Sequence, residues 1–331
     1  MMRLKYLFDN KDLAEMMLKN WEHDDDYMEM FKYFRISSNA VYPFKNRGNM
    51  NFLRISPVEE KAADSILAEL KFIDYLRSKD YPAVERVKTR NDRELITADT
   101  PWGEYIAVVF KGVKGEQLSN LDLGDDIVYA YGRSLGELHQ HSSNFHPVKY
   151  RRWTYKDVLG WISDVLGKFP DEKAALKELE ILKEYLEELP VTNENYGLIH
   201  YDFECDNVFY DQNSKSCNII DFDDAMYHWY LMDIVQALES IKEEVAQEDY
   251  IQRENSFLEG YRSQYDITDD MFSRIVVFHR FKNLYGYTRI IRSVEEKWHN
   301  EPEWMEGLRG HLTNLMEERS QYFGTDVDLS T

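Results

Sequence analysis

Four side chains in the second half of the chain have the types and the spacing for phosphoryl chemistry. His200, Asp202 and Asn207 follow the pattern H-x-D-x-x-x-x-N, and Asp221 ends an apolar run farther along the chain. Phosphoryl transfer needs a carboxylate that orients the attacking hydroxyl and accepts its proton. It also needs hard oxygen ligands for magnesium, which carboxylate and amide groups provide. The sequence shows no cluster of His and Cys that would suit zinc instead.

A β-hairpin would bring these groups together. Two apolar runs, 208–210 and 217–220, flank a polar turn, which is the pattern of a hairpin. Asn207 would then lie near the start of the first strand and Asp221 at the end of the second, at one mouth of the hairpin. In the alternative interpretation these polar residues only form turns and end a strand.

The elements upstream predict a small, mainly β lobe over about residues 30–110. Short apolar runs at Tyr42–Phe44 and Asn51–Ile55 surround the turn-rich segment 45–49, and further strand-like runs cover Glu94–Ala98 and Tyr105–Phe110. Between them lies one long amphipathic helix.

A capping box predicts the start of this helix. Ser56 would be the N-cap, Pro57 the first helical residue and Glu59 the residue that completes the box. We expect the helix to end near Lys79, ahead of Tyr81-Pro82.

The rest of the chain is mainly helical in pattern. Gly112 and Gly115 mark a hinge, and a β-rich segment at 197–224 interrupts the helical region. The predicted helices are Ile127–His141, Tyr155–Phe169, Glu172–Leu189 and Asp269–Arg292. The sequence therefore predicts an α+β, bilobal architecture with a β-rich lobe at 1–111 that includes an N-terminal helical extension, and a helical lobe at 112–331. A ligand cleft at the hinge is the expected site.

On these motifs the chain resembles the aminoglycoside phosphotransferase and choline kinase family, whose fold is that of protein kinases. The resemblance covers about residues 35–310. Tyr201 stands where protein kinases have the arginine of H-R-D, and Asp223 stands where D-F-G has its glycine. Both departures fit this family better than protein kinases, and Asp233 matches an aspartate that the family often has at that place.

The resemblance implies roles for the residues of the large lobe. Asp202 is implied as the catalytic base, Asn207 and Asp221 as magnesium ligands, and His200 as support for the catalytic loop. The fold it implies is a small antiparallel β-sheet lobe joined to a larger, mainly helical lobe with a β-hairpin insert.

In the small lobe the resemblance is looser. Arg54 takes the place of the family's phosphate-binding lysine, which arginine can replace because it binds phosphate oxygens bidentately. Glu69, in the middle of the following helix, is its implied partner.

The remaining nucleotide contacts are expected from two loops. Ser38 and Asn39 belong to the expected phosphate-covering turn 37–40, which lacks a G-x-G-x-x-G and would use backbone amides. Phe110 and Gly112 belong to the hinge, whose backbone groups should face adenine.

The expected function is transfer of the γ-phosphate of ATP, or GTP, to a hydroxyl of a small molecule, with Mg²⁺ as cofactor. Aminoglycosides, amino alcohols and related metabolites are candidate acceptors. Asp223 and Asp224 would favour an amine-bearing acceptor, whereas Arg280 would favour a carboxylate or phosphate, and the sequence leaves both open. The alternative function is a non-catalytic pseudokinase or nucleotide-binding module. A protein kinase is disfavoured because a Gly-rich loop and an activation segment are missing.

Charge and composition narrow the partners. The formal charge is −21, with 61 acidic and 40 basic residues, which argues against a nucleic-acid partner. No apolar stretch reaches the length of a membrane helix, and the two cysteines, Cys205 and Cys217, are expected to be free thiols. We therefore expect a cytoplasmic protein with no membrane partner, and its oligomeric state stays open.

Overall fold

Strands from the first third of the chain form an antiparallel sheet. The computed structural model describes residues 1–326. Within them a six-stranded sheet has the order β1-β2-β3-β6-β4, with β5 paired to β6. Its strands are β1 (Arg35–Ile36), β2 (Ala40–Asn46), β3 (Asn49–Pro57), β4 (Arg86–Val87), β5 (Ile96–Thr100) and β6 (Gly103–Lys111).

The predicted hairpin at the start of this sheet is confirmed. Asn46 pairs with Asn49, which leaves Arg47 and Gly48 as a two-residue turn with φ of 52° and 76°. Positive φ at both central residues is the geometry that matches the twist of a hairpin. The carboxylate of Asp24 accepts hydrogen bonds from both turn amides.

One face of the sheet is covered by the N-terminal segment. Helices α1 (Lys11–Leu18) and α2 (Tyr27–Met30) precede the sheet, and the buried Trp21 packs with strand residues such as Tyr42 and Leu53. Leu4 instead packs with Ile290 and Met305 of the helical region. The N-terminal extension therefore contacts both parts of the fold.

The predicted capping box is wrong. Strand β3 continues through Pro57, and Ser56 pairs with Ile106 in the ladder with β6. Helix α3 begins only at Ala63 and ends at Ser78, so its predicted end is confirmed. The ladder with β6 runs from Asn51 to Pro57 of β3, and this long-range pairing prevails over the local helix-start signal.

The helical region follows the hinge. Helices here are α4 (Asp125–Ser142), α5 (Tyr155–Leu166), α6 (Lys173–Glu188), α7 (Leu231–Glu244), α8 (Tyr250–Arg262), α9 (Asp269–Phe272), α10 (Ile275–Val294) and α11 (Glu303–Arg319). The single helix predicted over Asp269–Arg292 is wrong, because Ser273 and Arg274 separate α9 from α10. Apolar periodicity does not show so short an interruption. No helix within residues 1–326 is long and apolar enough to cross a membrane.

The β-rich insert has the predicted hairpin at its centre. Its strands are β8 (Tyr196–Ile199), β9 (Val208–Asp211), β10 (Ser216–Ile219) and β11 (Met226–Trp229), and β7 (Glu116–Gln117) joins them from the segment after the hinge. Val208 pairs with Ile219, β7 adds to β9, and β8 pairs with β11. Ile219 also exchanges backbone hydrogen bonds with Pro82 and Val84, which follow α3. This contact ties the small lobe to the hairpin that carries the predicted metal ligands.

The fold is thus the expected α+β, bilobal arrangement. The division at residues 111 and 112 stays a prediction, and the last residues of the second predicted region, 327–331, lie outside the described residues. Cys205 and Cys217 are both buried and free, as predicted.

Candidate active site

A cavity of about 570 Å³ lies between the two lobes. All of the residues predicted for the site line it, although they come from distant parts of the sequence. These residues are Ser38, Asn39, Arg54, Glu69, Phe110, Gly112, Asp202, Asn207 and Asp221.

The loop that carries Asp202 is fixed by a buried carboxylate. Asp233 accepts hydrogen bonds from the backbone amides of His200, at 2.8 Å, and Tyr201, at 2.7 Å. These bonds hold Tyr201 at a φ of 65°, a conformation that costs energy for a residue with a side chain. His139 is the third partner of this carboxylate.

The imidazole ring of His200 forms hydrogen bonds only to backbone atoms within residues 1–326. Its Nδ1 accepts from the Asp202 amide at 3.2 Å, so Nε2 carries the proton and donates to the Ile220 carbonyl at 2.9 Å. Burial lowers the pKa of His200, which keeps the ring neutral in this tautomer. The ring therefore links the loop of Asp202 to the strand that leads to Asp221.

Asp202 and Asn207 are in direct contact. The Nδ2 of Asn207 donates to the Asp202 carboxylate at 3.0 Å and to the Asp202 carbonyl at 2.9 Å. Burial, followed by the charges of Glu204, Asp224 and Asp221, raises the pKa of Asp202 well above its ordinary value. A raised pKa makes this carboxylate a stronger proton acceptor.

Asp221 faces the cavity at the end of the hairpin. It has the left-handed conformation, with φ 60° and ψ 61°, and 44% of its side chain is exposed. Its carboxylate accepts no hydrogen bond from any residue in 1–326, and the nearest cation is a terminal nitrogen of Arg54 at 3.8 Å. Burial raises the pKa of Asp221, although Arg54 acts against this.

The donor atoms of Asn207 and Asp221 fit magnesium. Since the amide nitrogen of Asn207 is bonded to Asp202, its oxygen is left as an acceptor, and the Asp221 carboxylate supplies a second hard oxygen. Residues 1–326 hold no cluster of three or more His, Cys, Asp and Glu side chains arranged for a metal. A site with few protein ligands suits magnesium, which commonly keeps waters and substrate phosphates in its shell.

Arg54 and Glu69 form a buried bidentate pair. The two terminal nitrogens of Arg54 donate to the two oxygens of Glu69, at 2.8 and 2.5 Å, and the side chains are only 5% and 1% exposed. Burial alone would raise the pKa of Glu69, but Arg54 holds it below its ordinary value. The guanidinium also lies 5.0 Å from the centre of the Phe110 ring. The pair fixes helix α3 against β3 at the edge of the cavity.

The turn with Ser38 and Asn39 is bonded to the large lobe. Asn39 donates to Asp223 at 2.9 Å, and Ser56 donates to the Asn39 side-chain oxygen at 2.6 Å. Arg289 of helix α10 donates to Ser38 at 3.2 Å and to Asp224 at 2.7 Å.

Three cations of this region were not found from the sequence. Lys61 forms an ion pair with Asp223, Arg289 bonds to Asp224, and Arg152 donates to the carbonyls of Asp223 and Ala225. None of them lies in a recognisable motif, and only the folded chain brings them to the segment after Asp221.

The hinge side of the cavity is largely apolar. Its lining includes Val41, Pro43, Met50, Phe52, Val84, Phe110, Phe209 and Ile220. The amide of Gly112 donates to the Met50 carbonyl at 2.8 Å, so this N–H is already used. An adenine contact at Gly112 would therefore involve its carbonyl or a neighbouring residue.

Only part of the predicted acceptor region faces the cavity. Asp223 and Asp224 line it, whereas Arg280 does not. Arg280 is 7% exposed and forms a bidentate pair with Glu178. The suggestion that Arg280 binds a carboxylate or phosphate of the acceptor is therefore wrong, because Arg280 does not line the cavity and its guanidinium is bound to Glu178 in the core.

Comparison with known proteins agrees with this fold. The model of the phosphotransferase enzyme family matches residues 37–269, which is more than half of the chain. The match covers residues of both lobes and of the cleft, and it gives the class as small-molecule kinases with a hydroxyl acceptor. The chain belongs to the phosphotransferase enzyme family.

Individual relatives are distant in sequence but cover most of the chain. Amicoumacin kinase of Bacillus subtilis (strain 168) is 20% identical over 304 residues, which is 86% of this chain and 88% of that protein. A solved amicoumacin kinase, in complex with AMP-PNP, Ca²⁺ and Ami, has a TM-score of 0.78 at 19% identity and covers 98% of both chains. A microcompartment-associated aminopropanol kinase has a TM-score of 0.70 at 21% identity, covering 95% of this chain and 97% of the other.

Proposed function

We propose that this protein transfers the γ-phosphate of ATP to a hydroxyl group of a small, amine-bearing molecule, with magnesium as cofactor. The observation that carries the proposal is the meeting of Asp202, Asn207 and Asp221 in one interlobe cavity. They supply the carboxylate base and the two oxygen ligands for magnesium that phosphoryl transfer uses. The distant relatives include kinases whose names specify amicoumacin and aminopropanol as substrates.

Asp202 would act on the acceptor. Its carboxylate orients the hydroxyl and takes its proton while the acceptor oxygen forms a bond to the γ-phosphorus. The bond from this phosphorus to the bridging oxygen breaks, and ADP leaves with that electron pair. The raised pKa of Asp202 favours its part as proton acceptor.

Asn207 and Asp221 would hold magnesium. When bound, the ion offsets the negative charge of the phosphates. Asn207 has a second task, because its amide nitrogen holds the Asp202 carboxylate in place. One side chain thus connects the metal ligands with the base.

The small lobe would hold the nucleotide. Arg54, kept in position by Glu69, faces Asp221 across the cavity at 3.8 Å and would contact the phosphates. Ser38 and Asn39 would cover them, and the apolar surface around Phe110, next to Gly112, would take the adenine ring. Because this end of the cavity would contact the base, a comparison of GTP with ATP tests which nucleotide it prefers.

The charge of the cavity favours an acceptor with an amine. Asp202, Asp206, Asp223 and Asp224 all contribute to its lining. Lys61 and Arg289 match the charges of Asp223 and Asp224, so it is mainly the Asp202 carboxylate, which is bonded to the neutral amide of Asn207, that would attract a cation. Arg280 is paired with Glu178 and does not compete as an anion site. A protonated amine is attracted by such a surface. An amino alcohol or an aminoglycoside-like compound combines that charge with the hydroxyl the reaction needs.

Consumption of ATP and of GTP in the presence of Mg²⁺ tests the proposal. Purified protein is screened against amino alcohols, aminoglycosides and uncharged sugars, beside Asp202→Ala. We expect turnover with an amine-bearing acceptor and at least about a thousandfold loss in Asp202→Ala. Nucleotide binding without turnover on any acceptor, unchanged by Asp202→Ala, would indicate a pseudokinase. A failure to bind any Mg²⁺–nucleotide would overturn both functions.

A further inference from the structure

Two departures from the protein-kinase pattern contact each other. The phosphate-covering turn has Ser38 and Asn39 where a glycine-rich loop would be, and Asp223 stands in the glycine position of D-F-G. Nδ2 of Asn39 donates to Oδ2 of Asp223 at 2.9 Å, across 184 positions of sequence. Both residues are buried, at 5% and 7% exposure. The two polar residues that stand where protein kinases have glycine are therefore hydrogen-bonded to each other.

Asp223 collects contacts from several elements of the small lobe. Besides Asn39, it forms an ion pair with Lys61 in the turn before α3, and Arg54 of β3 lies 3.7 Å away. The Asn39 amide is oriented by Ser56, which donates to its oxygen and so directs its nitrogen towards Asp223. One carboxylate of the large lobe thus joins the covering turn, β3 and the start of α3.

The segment around Asp223 is itself held firmly. Arg152 donates to the backbone oxygens of Asp223 and Ala225 and also to Ser65 of helix α3. Arg289 adds a parallel connection, since it bonds to Asp224 and to Ser38 of the covering turn. The turn is therefore attached to the large lobe at two neighbouring points.

These contacts make the phosphate-covering turn more rigid than a glycine-rich loop would be. A glycine-rich loop is flexible and loses conformational freedom when it closes over phosphates. A turn held by side-chain hydrogen bonds has already lost that freedom, so its amides are in place before the nucleotide arrives. A buried carboxylate keeps such a contact because its charge is matched by neighbouring cations.

We propose that Asp223 is a positioning residue that holds the covering turn, through Asn39, in the conformation that binds the nucleotide phosphates. The inference rests on the proposed function, since the turn has this task only in a nucleotide-binding protein. It assigns to Asp223 a contact with the small lobe and not a place among the metal ligands.

Amide hydrogen exchange tests the contact without any nucleotide. Asn39→Ala removes the donor without burying a new charge, and Asn39→Asp places two carboxylates opposite each other. We expect the amides of residues 37–44 to exchange faster in both variants, with the larger effect in Asn39→Asp. Unchanged exchange in both would overturn the proposal, and this holds whether or not the protein proves to be a kinase.

Nucleotide affinity tests the consequence. In Asn39→Asp we expect AMP-PNP with Mg²⁺ to bind about tenfold more weakly, a typical effect of losing a charged hydrogen bond. Adenosine, which has no phosphates, should bind as it does to the native protein. Equal weakening of adenosine would point to a general structural defect and contradict the proposal.

The double variant Asn39→Asp/Asp223→Asn supplies the decisive comparison. It exchanges amide and carboxylate, so the hydrogen bond can form again with donor and acceptor reversed and the net charge unchanged. We expect AMP-PNP affinity to return to within about threefold of the native value. If Asp223 acts instead as a metal ligand, the double variant will not recover AMP-PNP affinity, and Asn39→Ala alone will leave that affinity unchanged. Asp92→Asn is the matched control, because this aspartate pairs with Lys88 on the surface and is 81% exposed.

Discussion

The side-chain nitrogen of Asn207 lies 3.0 Å from the carboxylate of Asp202. This contact orients both groups at once: it directs the Asn207 oxygen away from Asp202 and restrains the carboxylate that would receive the acceptor's proton. The chemistry of the proposed base and the proposed metal site is therefore coupled through a single amide.

Removal of this amide should weaken binding of the metal. In Asn207→Ala we expect the Mg²⁺ concentration for half-maximal AMP-PNP binding to rise about tenfold, because one oxygen ligand is lost. Titration calorimetry at several Mg²⁺ concentrations measures the change. Asn213→Ala, in the exposed turn of the same hairpin, is the control and should leave the Mg²⁺ dependence unchanged.

Removing one partner of the buried pair Arg54–Glu69 should strongly lower the free energy of unfolding. Glu69→Ala leaves the guanidinium without its counter-charge, and we expect a loss of about 3–5 kcal/mol in the free energy of unfolding. The double variant Arg54→Met/Glu69→Met should lose less than the sum of the two single variants, as measured by urea denaturation. Glu137→Ala, which breaks the surface pair with Arg133, should cost about 1 kcal/mol or less. Equal losses in Glu69→Ala and Glu137→Ala would contradict this account.

The crossing of helices α4 and α8 depends on glycine. A Cβ atom at Gly132 would overlap the backbone oxygen of Phe257, whereas one at Gly160 of helix α5 would meet nothing within 4 Å. We expect Gly132→Ala to lower the free energy of unfolding by about 2 kcal/mol or more, since backbone atoms must move apart. Gly160→Ala should raise it by about 0.5–1 kcal/mol through its better helix propensity. Thermal and urea unfolding of the two variants test the opposite signs.

A buried histidine should make the protein sensitive to acid. His228 is fully buried, and burial lowers its pKa from 6.5 to about 3. Between these values the unfolded chain binds a proton that the folded chain does not, so stability falls as the pH drops below about 6.5. From pH 7.5 to pH 5 this group should account for about 2 kcal/mol, at 1.36 kcal/mol per pH unit below 6.5.

Paired unfolding curves at the two pH values isolate this contribution. His228→Leu should lose less stability than the native protein on going to pH 5, even if it is less stable at pH 7.5. His299→Leu, at an exposed position, should show the native pH dependence. A pH dependence of His228→Leu equal to that of the native chain would exclude His228 as the source.

Local patterns in the sequence were enough to find the elements that carry the site. Two short apolar runs on either side of a polar turn predict the hairpin of β9 and β10, and the positions of Asn207 and Asp221 at its mouth follow from that pairing. The predicted start of α3 is wrong because Ser56 and Pro57 satisfy the rules for a helix start as well as those for the end of a strand. Pairing with β6, which lies far along the sequence, keeps these two residues in the strand.

The partners of the charged residues could not be found in this way. From the sequence alone Arg280 is a candidate for binding the acceptor, but in the fold it is paired with Glu178. Lys61, Arg152 and Arg289 stand in no motif, yet all three contact the segment that follows Asp221. A charged side chain carries no periodic signal, so its function depends on which neighbours the fold supplies.

The sequence by itself determined the reaction class, because the spacing of His200, Asp202, Asn207 and Asp221 reflects chemistry that a short loop and one hairpin can assemble. Only the tertiary structure decided how the two lobes are joined, through the contact between Asn39 and Asp223 and the bonds that Arg289 makes to both sides. The physical reason is the separation in sequence between the residues that make each contact. Hydrogen bonds within a hairpin are fixed by near neighbours, whereas contacts between residues far apart in sequence exist only when the whole chain has packed.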